Sequence, residues 1–374
     1  MQPHVFEHLR RLPRHPAGQP IPVPQRQPGQ EQVVNLGANG NPWGPAEAVR
    51  ARVLQALDGA GLDRLRSYPA ADGPALKAAI AARRGVDPAQ VILGNGSSEL
   101  IAIAARAMLM DGGSGLAAKH SFAPFGHAAQ AAGGRFIECM GSLAEAEAEP
   151  LLAAAQPDTR IVYVGQPNNP TGTLLDRDAL ALLTRGLRSD ILLVVDQAYA
   201  EYEEPETYPD AAAYLEQRAN LLVLHSFSKI HALAGLRIGY GLGGTELVSL
   251  LERVRDPYNT NCLAQAAAEA AVREEAFEAQ CRARVHAARA AFLAEAERHP
   301  CRVSGQAGNF LVLETMFPAQ ALARDLLRAG VLVHPLEQDG LPNHVRVSMG
   351  TPDEMAAFWR AAGPLLDNLS CGCY

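Results

Sequence analysis

Lys229 stands in the stretch HSFSKIHALAGLRIGY, residues 225–240, with Ser226 and Ser228 before it and Arg237 after it. The chain holds three lysines, Lys77, Lys119 and Lys229, against thirty arginines, so a cation of no special kind is nearly always arginine here. Arginine stays protonated and forms no Schiff base, which marks a retained lysine for chemistry that needs a primary amine. Ordinary surface placement is the competing reading for all three, and Lys77 and Lys119 are expected at the surface. Three further apolar runs end in polar groups. VILGN opens into Gly94-Asn95-Gly96-Ser97-Ser98-Glu99, a strand-to-helix turn whose free N–H groups suit a phosphate, or serve as a plain helix cap. IVYVGQ runs into PNNPTG, a turn that projects Asn168 and Asn169. ILLVV ends in Asp196-Gln197-Ala198-Tyr199, and a carboxylate closing a strand buried on both faces needs a partner that the adjacent sequence does not supply.

The pattern also specifies the elements that must position these groups. Between about Pro45 and Asn261 these runs, with NLLVLHSF and LRIGYGL, are apolar on both faces and bounded by turn residues. That is the mark of a mostly parallel sheet covered by helices, an α/β fold in which ligands gather at the carboxyl ends of the strands. An Ala-rich helical stretch is expected from Leu263 to about His299. Strands at NFLVLE, VLVHPL and HVRVSMG, a helix near 318–329 and a closing helix from Pro352 then make a smaller α/β unit. Seven prolines in the first thirty residues favour extended chain. Residues 1–44 are therefore read as an arm joining the small domain, 45–262 as the large domain and 263–374 as the small C-terminal domain.

A chain of 374 residues, 48% apolar and 20% charged, suits such a globular plan. A net charge of −7 without a basic run argues against a nucleic-acid surface, and no run of about twenty apolar residues is present to span a membrane. The N-terminus lacks the apolar core of a signal peptide, so the cytoplasm is the expected location. The six cysteines are expected as free thiols, the Cys371/Cys373 pair included, and no metal site is expected.

One cofactor asks for the whole set of strand-end groups. Pyridoxal 5′-phosphate has an aldehyde for a lysine, a ring nitrogen for an anion, a phenolic oxygen for donors, and a phosphate for serine, backbone N–H and arginine. The chain resembles the fold-type I pyridoxal-phosphate aminotransferases of class I/II, most closely the histidinol-phosphate aminotransferase family. NPWGP, RSYP, GNGSSE, PNNPTG, DQAYAEY, SFSKIHALAGLRIGY, PYNTNCLAQ and VRVSMGT stand in that family's order from about residue 35 to 352. The resemblance implies that Lys229 forms the Schiff base with the cofactor and later moves the substrate's Cα proton. Asp196 pairs with the ring nitrogen, and Tyr199 and Asn169 bond the ring oxygen. Ser97, Ser98, Ser226, Ser228 and Arg237 hold the phosphate, with Phe122 stacked on the ring. Tyr68, in RSYP, reaches the phosphate of the neighbouring subunit in a homodimer. Arg346 grips the substrate's acid group, and His334 and Asn41 also belong to the substrate side. The implied partners are a small-molecule amino donor, histidinol phosphate or an aromatic amino acid, and a 2-oxo acid, 2-oxoglutarate with glutamate.

The family carries an acid at the positions of Gly40 and Gln197, an aspartate at Ser98 and an arginine at His334. The last difference bears on the substrate. A histidine near its ordinary pKa of about 6.5 is mostly neutral at pH 7, so a phosphate ester would lose one charge-assisted bond of roughly 1.5–3 kcal/mol. Other classes share part of the pattern. Gly239-Tyr240-Gly241-Leu242-Gly243-Gly244 matches the G-x-G-x-x-G of nicotinamide dehydrogenases, between a strand and a helix, but lacks the second strand and acid that this fingerprint requires. Threonine-phosphate decarboxylases share the cofactor motifs and differ in substrate orientation. A cofactor-binding regulator would carry an added DNA-binding domain, and no such segment is seen.

Overall fold

A computed structural model describes residues 6–12, 33–58, 64–143, 146–305 and 307–369. The Cys371/Cys373 tail and most of the proline-rich arm lie outside the described residues. A two-residue strand, β1 (Val34–Asn35), precedes β2 (Val91–Gly94), β3 (Ser114–Ala118), β4 (Arg135–Cys139), β5 (Thr159–Gly165), β6 (Leu192–Asp196), β7 (Leu221–Ser226) and β8 (Gly239–Gly243). These last seven form one sheet in the order β2-β8-β7-β6-β5-β3-β4. β8 is antiparallel to both neighbours, and the other pairs are parallel. Alternate residues enter different cores. Val162, Val164, Leu193 and Val195 face one side with the alanines of helix Cys262–Ala271, while Ile161, Tyr163, Leu192 and Val194 face the other with helix Ser97–Leu109. Burial on both faces is why these strands read as continuous apolar runs. β3 and β4 escaped that pattern. SGLAA is built of small residues, and RFIEC is the sheet edge with Arg135 and Glu138 exposed.

Farther along come β9 (Arg302–Ser304), β10 (Phe310–Glu314), β11 (Val331–Leu332), β12 (His334–Pro335) and β13 (His344–Ser348). Four of these make an antiparallel sheet, β12-β13-β10-β9, and β11 pairs in parallel with β1. A third core packs this sheet against helices Glu275–Ala296, Ala319–Arg328 and Pro352–Leu369, and it takes in Leu36, Tyr199 and Ile230. Residues of the DQAY turn and the neighbour of Lys229 thus belong to the core of the second sheet.

Three expectations need correction. The single helix from Leu263 to His299 is two, Cys262–Ala271 and Glu275–Ala296. Its halves serve different cores, Ala264, Ala267 and Ala268 packing with the large sheet and Cys281, Val285 and Phe292 with the small one. A shared helical period is blind to that change of partner. The glycines from Gly239 to Gly243 lie within β8 itself, so they build no strand-to-helix phosphate turn. Lys77 is not at the surface: it is 7% exposed, and its Nζ donates to Asp72 Oδ1 at 2.6 Å and Glu252 Oε1 at 2.9 Å. Among the described residues no helix is long and apolar enough to cross a membrane.

Candidate active site

The carboxyl ends of β2, β5, β6 and β7 open on one cavity. Because β8 runs the other way, its first residue, Gly239, pairs with both Gly94 and Ser226 and brings the preceding Arg237 to the same place. Two glycines keep that corner open. A Cβ on Gly96, at φ +83°, would stand 2.5 Å from Arg237 Nη2, and one on Gly239 would stand 2.8 Å from the Ser97 nitrogen. The guanidinium and the start of a thirteen-residue helix therefore meet in a cradle rimmed by Ser97, Ser98, Ser226 and Ser228. This is an anion site built from backbone N–H, hydroxyls and one permanent cation.

Asp196 lines the same cavity and is 5% exposed. Its Oδ2 accepts from the Tyr163 hydroxyl at 3.0 Å and its Oδ1 from the Ala198 N–H at 3.1 Å. Burial lifts its pKa to about 6, against the pull of those two bonds and of Lys229. Both hydrogen-bond donors are neutral, a phenol and an amide, so the carboxylate remains open to a cation. Lys229 Nζ lies 5.2 Å from the centre of the Tyr199 ring, and Phe122 and Asn169 line the same cavity.

The remaining sequence-predicted residues stand farther out. Arg346, on β13, is buried; its Nη1 donates to Asn169 Oδ1 at 2.5 Å, its Nη2 to Gly37 O at 2.7 Å, and its Nε is without a partner. Burial lowers its pKa, since neutral acceptors compensate a guanidinium only in part. His334 faces Arg346 across the β12–β13 register. Its ring keeps solvent contact, yet desolvation by the packed strands and the Arg346 charge pull its pKa down to about 4. Asn41 spends its amide on Ile230 O, Cys281 Sγ and the Trp43 N–H, and lies outside the cavity lining. Tyr68 is 80% exposed and stacks on Tyr258, ring centres 4.6 Å apart, on a separate groove.

Sequence reasoning missed three supports. Tyr163 is the one polar-tipped residue of IVYVG, a weak signal, and it holds Asp196. Asn39 occupies φ 53° in GANGNP, where asparagine is a residue type that tolerates such a backbone, and its Nδ2 donates to the Tyr199 hydroxyl at 3.0 Å. Glu99 accepts the Asn95 N–H at 2.6 Å beneath the cradle and is itself gripped by Asn259 Nδ2 at 2.5 Å. Asn259 accepts from Arg255, which binds Glu252, which binds Lys77. No spacing in the sequence announces that chain of contacts.

An anion cradle, a primary amine and a buried carboxylate awaiting a cation fit pyridoxal phosphate: cradle for phosphate, Lys229 for aldehyde, Asp196 for ring nitrogen. The family described as aminotransferase class I and II matches residues 31–361. The chain belongs to the class I and II aminotransferases. It is 40% identical to histidinol-phosphate aminotransferase 2 of Ralstonia nicotianae over 357 residues, 94% of each chain. Its fold matches the solved histidinol-phosphate aminotransferase of Sinorhizobium meliloti in complex with pyridoxal 5′-phosphate, with a TM-score of 0.82 at 24% identity over 91% of this chain and 92% of that one. It also matches the L-threonine-O-3-phosphate decarboxylase of Porphyromonas gingivalis, with a TM-score of 0.78 at 22% identity over 89% and 99%. The fold is thus common to two reactions, and the sequence relationship decides between them. This aminotransferase is a pyridoxal-phosphate-dependent transaminase.

Proposed function

We propose that this transaminase passes an amino group from histidinol phosphate, or from an aromatic amino acid, to 2-oxoglutarate, with glutamate as the counterpart donor. The observation that carries the reading is the meeting of the Lys229 amine and the buried Asp196 carboxylate beside an anion cradle. The cofactor, when bound, supplies an electron sink for the pair left at the substrate's Cα. Lys229 would hold it through Nζ and, when its amine is free, would serve as the base that accepts the substrate's Cα proton and returns it to a carbon of the cofactor. Asp196 holds a positive ring nitrogen in place, a charge that would draw its own pKa back down. Asn169, whose Oδ1 is taken by Arg346, keeps its amide N–H for the ring oxygen, as Tyr199 keeps its hydroxyl. Ser97, Ser98, Ser226, Ser228 and Arg237 take the phosphate, and Phe122 covers the ring. Arg346, a buried cation hydrogen-bonded only to neutral acceptors and with the Asp339 carboxylate nearby, takes the substrate's acid group, with His334 and Asn41 on that side.

Residues 1–44 and 263–374 form, in this proposal, a unit that closes over residues 45–262. A homodimer belongs to it as well. The exposed Tyr68–Tyr258 pair is the aromatic surface that a second copy would cover, with Tyr68 reaching the neighbour's phosphate. A cytoplasmic location completes the reading, because the exchange draws on glutamate and 2-oxoglutarate. Glutamate alone, mixed with the loaded enzyme, is expected to release stoichiometric 2-oxoglutarate; carbon dioxide in its place would favour a decarboxylase. A panel of amino donors in the same half-reaction then ranks histidinol phosphate against phenylalanine. Borohydride is expected to fix the cofactor on the parent protein and not on Lys229→Ala.

A further inference from the structure

Asn39 is 1% exposed and sits in none of the strands, yet it joins three parts of the molecule. Its backbone N–H donates to Ser348 Oγ at 2.9 Å, the Ser348 hydroxyl donates back to Asn39 Oδ1 at 2.9 Å, and Asn39 Nδ2 donates to the Tyr199 hydroxyl at 3.0 Å. The direction of this relay is forced. Ser348 Oγ already accepts one N–H, so its own hydrogen needs an acceptor, and in a site where Ser348 is 3% exposed only Oδ1 offers one. Nδ2 is therefore the atom facing Tyr199, and an amide nitrogen only donates. The Tyr199 oxygen must accept, which leaves its hydrogen to point elsewhere. Among the described residues none accepts that hydrogen, and Tyr199 lines the cavity.

We propose that Asn39 is a positioning residue that aims the Tyr199 hydroxyl hydrogen into the cofactor cavity, with Ser348 locking the amide. The inference rests on the reading that this cavity holds pyridoxal phosphate, whose ring oxygen would receive that hydrogen. It also accounts for an asparagine at φ 53°, a backbone that the arrangement requires and that few other side chains accept at low cost. The titratable and polar groups around Tyr199 are Lys229 above its ring, Arg346, Asp196, Tyr163 and Tyr202 near it, and Asn39; of these, Asn39 alone touches the hydroxyl.

Three variants separate the possibilities. Asn39→Gly keeps the backbone conformation and frees the hydroxyl to rotate. Asn39→Asp turns the donor into an acceptor and draws the hydrogen away from the cavity. Ser348→Ala unlocks the amide without adding charge. The readouts are the dissociation constant of pyridoxal phosphate for the apoenzyme and the pH midpoint of the visible band of the bound cofactor. Loss of one hydrogen bond to a charged oxygen is expected to raise that midpoint by roughly one to two pH units in Asn39→Asp, with a smaller rise in the same direction for the other two. In a Tyr199→Phe background Asn39→Gly and Ser348→Ala are expected to have no further effect, since they act through the hydroxyl, whereas Asn39→Asp also acts by its charge. Melting of the apo forms identifies any variant that has lost its fold, and Ser348→Ala, the mildest, then carries the test. A midpoint unchanged in folded Asn39→Gly and Ser348→Ala, or shifts in these two that persist with Phe at 199, would overturn the proposal. A parent protein that binds no cofactor would instead overturn the functional reading beneath it.

Discussion

Two sides of the site, the anion cradle and the surroundings of Arg346, are built on opposite principles. At the cradle proposed for the phosphate, Ser97, Ser226, Ser228 and Arg237 all come from the large sheet and the turns at its edge. Beneath them Glu99, Asn259, Arg255, Glu252 and Lys77 form a run of mutually satisfied partners ending on Asp72. On the side proposed for the substrate, Arg346 comes from β13, Gly37 from the segment after β1 and Asn169 from the PNNPTG turn. There the cation is left short: Arg346 Nε is buried without a partner. A permanent ligand suits a rigid, fully bonded support. A ligand that comes and goes suits a cation kept partly unsatisfied, because the incoming acid group then gains the bonds that the protein withholds.

Removing a group from the unsatisfied side is expected to give the largest effect and to disturb the other side far less. Arg346→Ala loses two charge-assisted bonds of about 1.5–3 kcal/mol each, so kcat/KM for glutamate is expected to fall about 10²–10⁴-fold. Cofactor affinity is expected to fall far less, through the released Asn169 alone; a matching loss in it would merge the two sides into one unit.

Asp196 tests the same contrast through pH. Its folded pKa of about 6 lies above the ordinary carboxylate value, so in the apoenzyme it favours folding while protonated, and that contribution is lost as pH rises through about 6. Holding a carboxyl group that far above its ordinary range is worth on the order of 3 kcal/mol. Asp196→Asn is therefore expected to melt higher than the parent as apoenzyme at pH 7, to lose that advantage near pH 4, and to bind cofactor less tightly. An apo variant no more stable than the parent at pH 7 would mean that the carboxylate already has a cation.

Glu99→Gln probes the support of the cradle. It weakens the acceptor for the Asn95 N–H, and the dissociation constant for the cofactor is expected to rise about tenfold. The kcat/KM for glutamate at saturating cofactor should not move.

His334→Arg gives the smallest change. With its pKa held at about 4 the histidine is neutral at pH 6 and at pH 8 alike, so a difference between those two values, expected from an ordinary histidine, is not expected here. The ring is exposed to solvent, which limits a new charge pair there to about 0.2–1 kcal/mol. The substitution is thus expected to raise kcat/KM for histidinol phosphate by two- to fivefold and to leave phenylalanine unchanged. Equal effects on both substrates would remove His334 from phosphate recognition.

The difference between the two sides also governs what could be read without coordinates. Strands buried on both faces write long apolar runs, and the residue that ends each run is marked by the change of polarity; Asp196, Asn169, Ser226 and the turn at Gly96 were legible for that reason. Lys229 was legible because arginine had replaced lysine nearly everywhere else. β3 and β4 were not, since small residues and an exposed edge blur the period. Asn41 stands in a motif of the right type, with no sign in the sequence that its amide is bonded to Ile230, Cys281 and Trp43.

The order of residues along the chain by itself determined the parallel sheet, the chemical character of each strand end and the cofactor that this set of groups suits. Those are properties of short segments, set by side-chain period and residue type. Only the tertiary structure decided that β8 turns back to bring Arg237 beside Ser97, that one helical stretch divides between two cores, and that Asn39 meets Tyr199 and Ser348 across 160 and 309 positions of chain. Contacts at such separations follow from which cores bury which faces, and no local pattern carries that information.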